Sequence, residues 1–206
     1  MGIMLTRTEQ VWRHLVDGAH HGCRRWSSMS ALAADLGFGT STVAAALEEP
    51  RTVGAVAVAH GAPLTVLDPW KLLVLWAARR GLAADILEDR MVGATATTIE
   101  TTARPGRAVL GGHGAIVARL GRNTIADYTT VMFYGEPDLP TLPAENAATR
   151  LLTVEPDPLL ARYGDTTTIG QSWVDLFRTP GWQAAEFTTA LLPLVSAGHH
   201  DTLLQA

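Results

Sequence analysis

A helix-turn-helix spacing occupies residues 32–47 and constrains the fold more than any other feature of the chain. Such a unit joins two short helices that cross at a steep angle, with a small residue at their contact and a glycine in the turn. Ala33 is the small contact residue, and Gly37 can adopt the positive φ that the turn requires. The first helix begins with a serine cap, either Ser28 or Ser30. The apolar residues that would pack the helices together are Leu32, Leu36, Phe38, Val43, Ala46 and Leu47.

The second helix begins near Thr40 and turns mainly small and hydroxyl-bearing side chains outward. These are Thr40, Ser41, Thr42, Ala44, Ala45 and Glu48. Hydroxyl groups can bond base edges or phosphate oxygens, and methyl groups can lie against a thymine methyl in the major groove. No Lys or Arg lies in this predicted helix, so it lacks the Arg–guanine pairing that many regulators use. The pattern favours a DNA-reading helix over the alternative, an ordinary helix pair in a globular core.

The flanking segments extend this unit in both directions. Residues 8–21 have an apolar stripe at helical spacing and predict a preceding helix. After the second helix, residues 52–58 alternate small and β-branched side chains, and residues 64–67 return as a second strand. This hairpin predicts a wing with Arg51 at its base and His60 at its tip. Phosphate contact is one interpretation of His60, and a solvated turn histidine is the other.

The two halves of the chain differ in charge, although the formal net charge of the whole is only −4. Residues 1–81 hold eight basic and six acidic side chains (+2), whereas residues 82–206 hold eight and fourteen (−6). A local basic field at Arg24 and Arg25 can therefore attract phosphate despite the acidic total. The residues predicted to contact double-stranded DNA are Arg24, Arg25, Ser28, Thr40, Ser41, Thr42, Ala45, Arg51 and His60.

A domain boundary is predicted near Gly81. Asp68 and Pro69 give an N-cap and a first helical residue, and Gly81 ends the helix that follows. We therefore predict an α+β protein with two domains: residues 1–81 form an N-terminal winged helix-turn-helix domain with a linking helix at 68–81, and residues 82–206 form a small mixed α/β C-terminal domain.

The second half carries both strand and helix patterns. Strands are expected at 94–103, which is rich in threonine, and at 128–134 and 151–154. Helices are expected at 107–120, 168–178 and 181–192, and residues 199–206 are expected to be frayed.

No motif in the chain predicts catalysis. The glycines of residues 110–114 could cradle a phosphate, but they lack the P-loop ending, and close packing of a helix on a strand is the favoured interpretation. Glu155, Asp157 and Asp165 could bind a metal ion, but the prolines among them indicate a solvated loop. The single cysteine, Cys23, is expected to be inert. We expect no catalytic residue, no metal and no cofactor. With no membrane span or leader expected, the chain is predicted to be cytoplasmic.

The order of these segments resembles the AbiE-type antitoxin family of type IV toxin-antitoxin systems. The resemblance rests on the predicted winged helix-turn-helix, on the helix that begins Asp68-Pro69-Trp70-Lys71-Leu72-Leu73, and on four segments of the second half. These segments are Val109-Leu110-Gly111-Gly112-His113-Gly114-Ala115, Thr130-Val131-Met132-Phe133-Tyr134, Leu151-Leu152-Thr153-Val154-Glu155-Pro156, and Gln171-Ser172-Trp173-Val174-Asp175-Leu176 with Pro180-Gly181.

The resemblance implies a transcriptional repressor that binds its own promoter. It also implies that copies of the chain form a homo-oligomer on DNA and that a nucleotidyltransferase-like toxin is its protein partner. The recognition helix departs from regulators that carry Arg at these positions, so no operator sequence can be carried over. Two alternatives remain: a stand-alone regulator, or a protein-interaction module whose surfaces are anchored by some of the six tryptophans.

Overall fold

A computed structural model describes residues 6–58, 62–104, 108–140, 148–157 and 160–200. Within these ranges the chain is a mixed α+β protein with nine α-helices and two small sheets. It divides into two compact units. The first unit contains Thr6–Arg80 together with residues 191–200, and the second contains Gly81–Ala190. The sequence placed its boundary after residue 81 and assigned residues 191–200 to the second domain.

The first unit begins with helix α1 (Arg7–His20), which has a capping box between Thr6 and Glu9. Helix α2 (Met29–Leu36) follows, and Ser28 rather than Ser30 caps it, because Ser28 Oγ accepts from Ala31 N at 3.1 Å. Helix α3 covers Thr40–Thr52. The predicted start of α3 and the serine cap of α2 are thus confirmed.

The turn between α2 and α3 bends the chain by 112°. Gly37 adopts a left-handed conformation there, with φ at 69°, and the amide of Phe38 donates to the carbonyl oxygen of Ala33 at 2.9 Å. Val43, Ala46 and Leu47 are buried, as the apolar spacing predicts. In the described part of the chain no single helix is long and apolar enough to cross a membrane. The bent α2–α3 pair has sufficient length and apolar composition only when its two helices are taken together.

A three-stranded antiparallel sheet accompanies these helices, with strand order β1-β3-β2. Its strands are β1 (Arg25–Trp26), β2 (Val56–Ala57) and β3 (Leu64–Val66). Strand β1 was not predicted; Arg25 pairs with Thr65 across β3. The strand predicted from residue 52 begins only at Val56, because α3 continues to Thr52.

Helix α4 (Pro69–Arg79) follows the sheet, and Asp68 caps it by accepting from the amide of Lys71 at 3.0 Å. The predicted cap, first-turn proline and end near Gly81 are all confirmed. The last helix, α9 (Trp182–His200), contributes its final part to this unit. There the carbonyl oxygen of Val195 lies 3.2 Å from His20 Nε2.

The second unit is built on a four-stranded sheet of order β4-β7-β6-β5. Its strands are β4 (Ile86–Val92), β5 (Val109–Gly111), β6 (Thr130–Tyr134) and β7 (Thr149–Val154). Strands β6 and β7 are parallel, and the other two pairings are antiparallel. Successive residues of β6 alternate between two apolar clusters, with Met132 and Tyr134 in one and Val131 and Phe133 in the other. Both faces of this central strand are therefore buried.

The helices of the second unit are α5 (Leu82–Asp85), α6 (Ala96–Thr102), α7 (Gly112–Leu120), α8 (Ile169–Phe177) and the first part of α9. A 3-10 turn covers Leu160–Tyr163. The strand predicted at 94–103 is wrong, because α6 occupies this segment. Thr95 caps it by accepting from the amide of Thr98, and the Thr101 and Thr102 hydroxyls bond back to carbonyls one turn earlier.

Two further predictions in the second half need correction. The helix predicted at 107–120 begins only at Gly112, because strand β5 takes up Val109–Gly111. The helix predicted at 181–192 extends to His200, past Pro193 and into the segment expected to be frayed. Strand β4 was not predicted at all.

Candidate nucleic-acid interface

Helix α3 presents the outward face that the sequence predicts. Thr40, Ser41, Ala44, Ala45 and Glu48 are exposed, and Thr42 is half-buried. Buried residues on the opposite side of the helix hold it in the unit, so the exposed face is free of a structural task within the described chain. This face is wide enough to offer several hydroxyl and methyl groups to one partner surface.

The first turn of α3 combines these hydroxyls with the positive end of the helix dipole. Gly39 is the N-cap and provides no side-chain hydrogen bond to the free amides of this turn. Unsatisfied amides at a helix start attract anionic groups such as phosphate. The exposed Thr40 and Ser41 hydroxyls lie in the same turn.

Acidic side chains lie toward the C-terminal end of the exposed face of α3. Glu48 is exposed, Glu49 is half-buried, and both line an open groove with Thr8, Trp12, Ala45, Ala46 and Thr52. Glu49 is also held by Arg79, whose Nη2 donates to its carboxylate at 2.8 Å. Negative charge here opposes the approach of a phosphate backbone. The N-terminal half of α3 is therefore the more favourable part of this face for a nucleic acid, and Arg51 is the one basic residue of α3 that offsets the carboxylates near its end.

The predicted phosphate-binding arginines are not gathered at one point. Arg25 is exposed on β1, Arg24 is half-buried beside it, and Arg51 is exposed in the last turn of α3, which leads into β2. Since β1 and β2 flank β3 on opposite sides, these arginines lie toward the two edges of the sheet. Ser28 is exposed but is already engaged as the α2 cap. His60 lies outside the described residues.

One basic residue near the turn was missed by the sequence analysis. The guanidinium of Arg7, at the start of α1, lies 5.8 Å from the ring centroid of Phe38 in the α2–α3 turn. Arg7 is exposed and adds a positive charge beside the turn. No local spacing signals such a contact, because the two residues are distant in sequence.

The glycines of residues 110–114 serve close packing in the second unit. A Cβ at Gly111 would lie 3.2 Å from the ring of Tyr134, and one at Gly114 would lie 2.7 Å from Glu100 Cδ. Side chains therefore occupy the space over these glycines. This geometry supports the packing interpretation over the phosphate cradle.

The buried His113 packs against the buried Phe187 and the half-buried Tyr128. Burial is the main cause that lowers the pKa of His113 to about 4, against a hydrogen bond to the Thr130 backbone that raises it. Burial also raises the pKa of Glu100 to about 7, although the hydroxyl of Tyr128 donates to its carboxylate at 2.9 Å. These groups pack inside the unit and do not line a described cleft.

Metal ligands do not cluster in the ranges that the structure describes: no three His, Cys, Asp or Glu side chains come together there. Of the proposed acidic set, Asp157 is buried whereas Asp165 is exposed. The exposed face of α3 is thus the strongest candidate site. In comparisons with known proteins, no family model, no curated protein and no solved structure matches the chain.

Proposed function

We propose that this chain is a sequence-specific DNA-binding regulator whose first unit is a winged helix-turn-helix. The element order α1-β1-α2-α3-β2-β3 and the sheet order β1-β3-β2 support this assignment. The 112° bend between α2 and α3 falls in the range of such helix pairs. In this proposal α3 is the recognition helix and β2-β3 form the wing.

The observation that carries the proposal is the exposed N-terminal half of α3, with its uncapped first turn. Recognition helices contact base edges mainly through their N-terminal residues. Here Thr40, Ser41 and Ala45 would face the bases, while Arg25 and Arg51 would hold phosphates on either side. Because few cations contribute and Glu48 is acidic, binding is expected to be modest in strength and sensitive to salt.

We further propose that the chain represses its own promoter as the antitoxin of a type IV toxin-antitoxin system. This step rests on the resemblance to AbiE-type antitoxins. Repression would be steric, because a bound protein blocks RNA polymerase without any chemistry, so the proposal requires no catalytic group and no cofactor. A nucleotidyltransferase-like toxin would be the protein partner.

A fluorescence-anisotropy titration tests the DNA proposal. The protein is titrated against the DNA upstream of its own gene and against a scrambled duplex of equal composition, each at two salt concentrations. Tighter binding to the upstream DNA, weakened by salt, is the expected result. Equal affinity for both duplexes, or no binding at low salt, would instead favour a protein-interaction module.

A co-expression assay tests the antitoxin step separately. The chain is expressed with any nucleotidyltransferase-like protein encoded beside it, and growth is compared with expression of that protein alone. Restored growth is expected. Promoter-specific DNA binding without rescue would indicate a stand-alone regulator.

A further inference from the structure

Strand β4 is an edge of the four-stranded sheet in the part of the chain that the structure describes. It pairs with β7 on one side, and in the described chain no strand pairs with its other side. Its five central residues are all exposed, and Met91 and Leu87 are among the most exposed large apolar side chains, at 64% and 54%. Proteins usually protect a long edge strand with charged residues, lysine above all, with proline, with a β-bulge or with a covering segment. Strand β4 has no lysine and no proline, but it has a bulge between Ile86 and Glu88 and three exposed charged residues, Glu88, Asp89 and Arg90. Because these charges are of both signs, they can pair with those of a second copy in a suitable register.

The backbone groups that face outward can be identified from β7. The amide of Arg150 donates to Thr129 and the carbonyl of Val154 accepts from Gly135, so residues 150, 152 and 154 point their backbone groups toward β6. Residues 149, 151 and 153 therefore bond β4 through their partners Val92, Arg90 and Glu88. The alternate residues of β4, Asp89 and Met91, direct their amides and carbonyls to the open edge.

This alternation of inward and outward backbone groups along β4 restricts the registers in which a second β4 could pair with it. In an antiparallel pair, residues with outward backbone groups must lie opposite one another. A twofold axis at Asp89 satisfies this rule. It places Glu88 opposite Arg90 of the second copy, and Leu87, at the strand's bulge, opposite Met91 of that copy. Arg90 Nε also lies 3.3 Å from Glu88 Oε2 within one chain, so the two charge pairs between copies would join two existing ion pairs into one alternating network. The apolar side chains of Leu87 and Met91 would lie at the two ends of this network.

The residue on the axis is already neutralised within its own chain. Arg150 binds both carboxylate oxygens of Asp89, at 2.8 and 2.6 Å. Each of the two Asp89 side chains near the axis would thus be bound by the Arg150 guanidinium of its own chain, and this positive charge offsets the repulsion between the two carboxylates. Shifting the register by two residues would instead place Arg90 opposite Arg90 or Glu88 opposite Glu88. The axis at Asp89 is therefore the favourable register.

We propose that two copies of the chain pair through β4, antiparallel about a twofold axis at Asp89, and so join their four-stranded sheets into one. The partner is a second copy, because the edge is complementary to itself in charge, in apolar side chains and in the positions of its outward backbone amides and carbonyls. This interface does not depend on the DNA-binding proposal.

A charge swap tests this interface by sedimentation equilibrium of the whole chain. The native protein is expected to form a dimer. Glu88→Arg and Arg90→Glu each place like charges opposite one another and should weaken dimerisation by roughly tenfold or more. The double variant E88R/R90E restores opposite charges and should dimerise like the native protein. Far-UV circular dichroism confirms that each variant is folded.

Arg104→Glu is the matched control, because Arg104 forms an exposed ion pair with Asp138 in the same unit and neither residue belongs to β4. It should leave the dimer unchanged. A native protein that stays monomeric at the highest usable concentration would overturn the proposal. A dimer that tolerates both single reversals, or a double variant that stays monomeric although folded, would overturn it equally.

Discussion

Trp12 Nε1 donates a hydrogen bond of 2.6 Å to the carbonyl oxygen of Ala46. Ala46 lies four residues before Pro50, which is inside helix α3 and has no amide hydrogen. The normal helical donor to this carbonyl is therefore missing, and the indole of α1 takes its place. This contact both compensates for the proline and attaches the candidate recognition helix to α1.

Trp12→Phe should therefore destabilise the protein. It removes the indole donor from a buried carbonyl whose usual helical donor is absent at Pro50, and we expect a loss of about 1–3 kcal/mol in the free energy of unfolding, in addition to lost packing. The measurement is urea unfolding. Pro50→Ala restores a helical amide, so the Trp12→Phe loss should be smaller in that background. Equal losses with and without Pro50 would show that the two residues are not coupled.

Two titratable groups beside Tyr128, the buried His113 and the half-buried Glu100, should give opposite pH dependences of stability. His113 stacks on its ring, with centroids 5.1 Å apart, and Glu100 accepts from its hydroxyl. Glu100 has a folded-state pKa of about 7, above its value of 4.5 when unfolded, so its contribution is fully present below pH 4.5 and is lost as pH rises to 7. His113 has a folded-state pKa of about 4, below 6.5, so its contribution is present above pH 6.5 and is lost as pH falls toward 4.

Glu100→Gln should reveal the pH dependence of the free energy of unfolding that is due to His113 alone. In the native protein the two slopes oppose each other between pH 4.5 and 6.5, and stability should change little. In the variant, the free energy of unfolding should rise by about 1–3 kcal/mol from pH 4.5 to 6.5. Urea titrations across this range measure the slope. A variant with the native pH profile would contradict the assigned pKa shift of Glu100.

Gly114 allows Glu100 to approach helix α7 closely. A methyl group at this position would lie 2.7 Å from Glu100 Cδ. In Gly114→Ala the Glu100 carboxylate must move away and give up its hydrogen bond with the Tyr128 hydroxyl. We therefore expect a destabilisation of about 1–3 kcal/mol, even though alanine favours helices. Thermal unfolding tests this expectation. Gly81→Ala is the comparison, because a Cβ there meets open space and no clash arises. Gly81 is the N-cap of the short helix α5, so its loss should be smaller and only that of a poorer cap.

If α3 reads DNA, base-contacting and phosphate-contacting residues should behave differently. Thr40→Ala is expected to weaken binding by about 1–3 kcal/mol on the preferred duplex only. Arg51→Ala should weaken binding to every duplex alike and reduce the salt slope by about one. Anisotropy titrations on preferred and scrambled DNA measure both effects. Similar losses on both duplexes from each variant would reject this division of roles.

Local capping and turn signals made the first unit predictable. Ser28, Gly37 and Asp68 each act through neighbours within a few residues, and the structure shows the expected contact or conformation at all three. The exposed face of α3 followed from the same helical period. Arg7 was missed because its contact with Phe38 depends on tertiary packing.

The second unit was harder to predict because its local preferences conflict. In α6 the threonines favour a strand by side-chain shape, yet Thr95 caps a helix and Thr102 bonds to the Thr98 carbonyl. Strand β4 has neither a buried run nor an alternating pattern, since both of its faces are exposed. Its pairing with β7 joins residues about 60 positions apart, a separation that no short window detects.

The first unit is discontinuous along the chain, because residues 191–200 belong to the same compact unit as Thr6–Arg80. Val195 is buried, and its carbonyl oxygen lies beside His20. During synthesis on the ribosome, this unit therefore cannot finish folding until the whole second unit has been made. For the same reason, a protease that cuts after Arg80 would release a fragment that lacks part of its own fold, so the candidate DNA-binding unit should not be separable as a simple N-terminal piece.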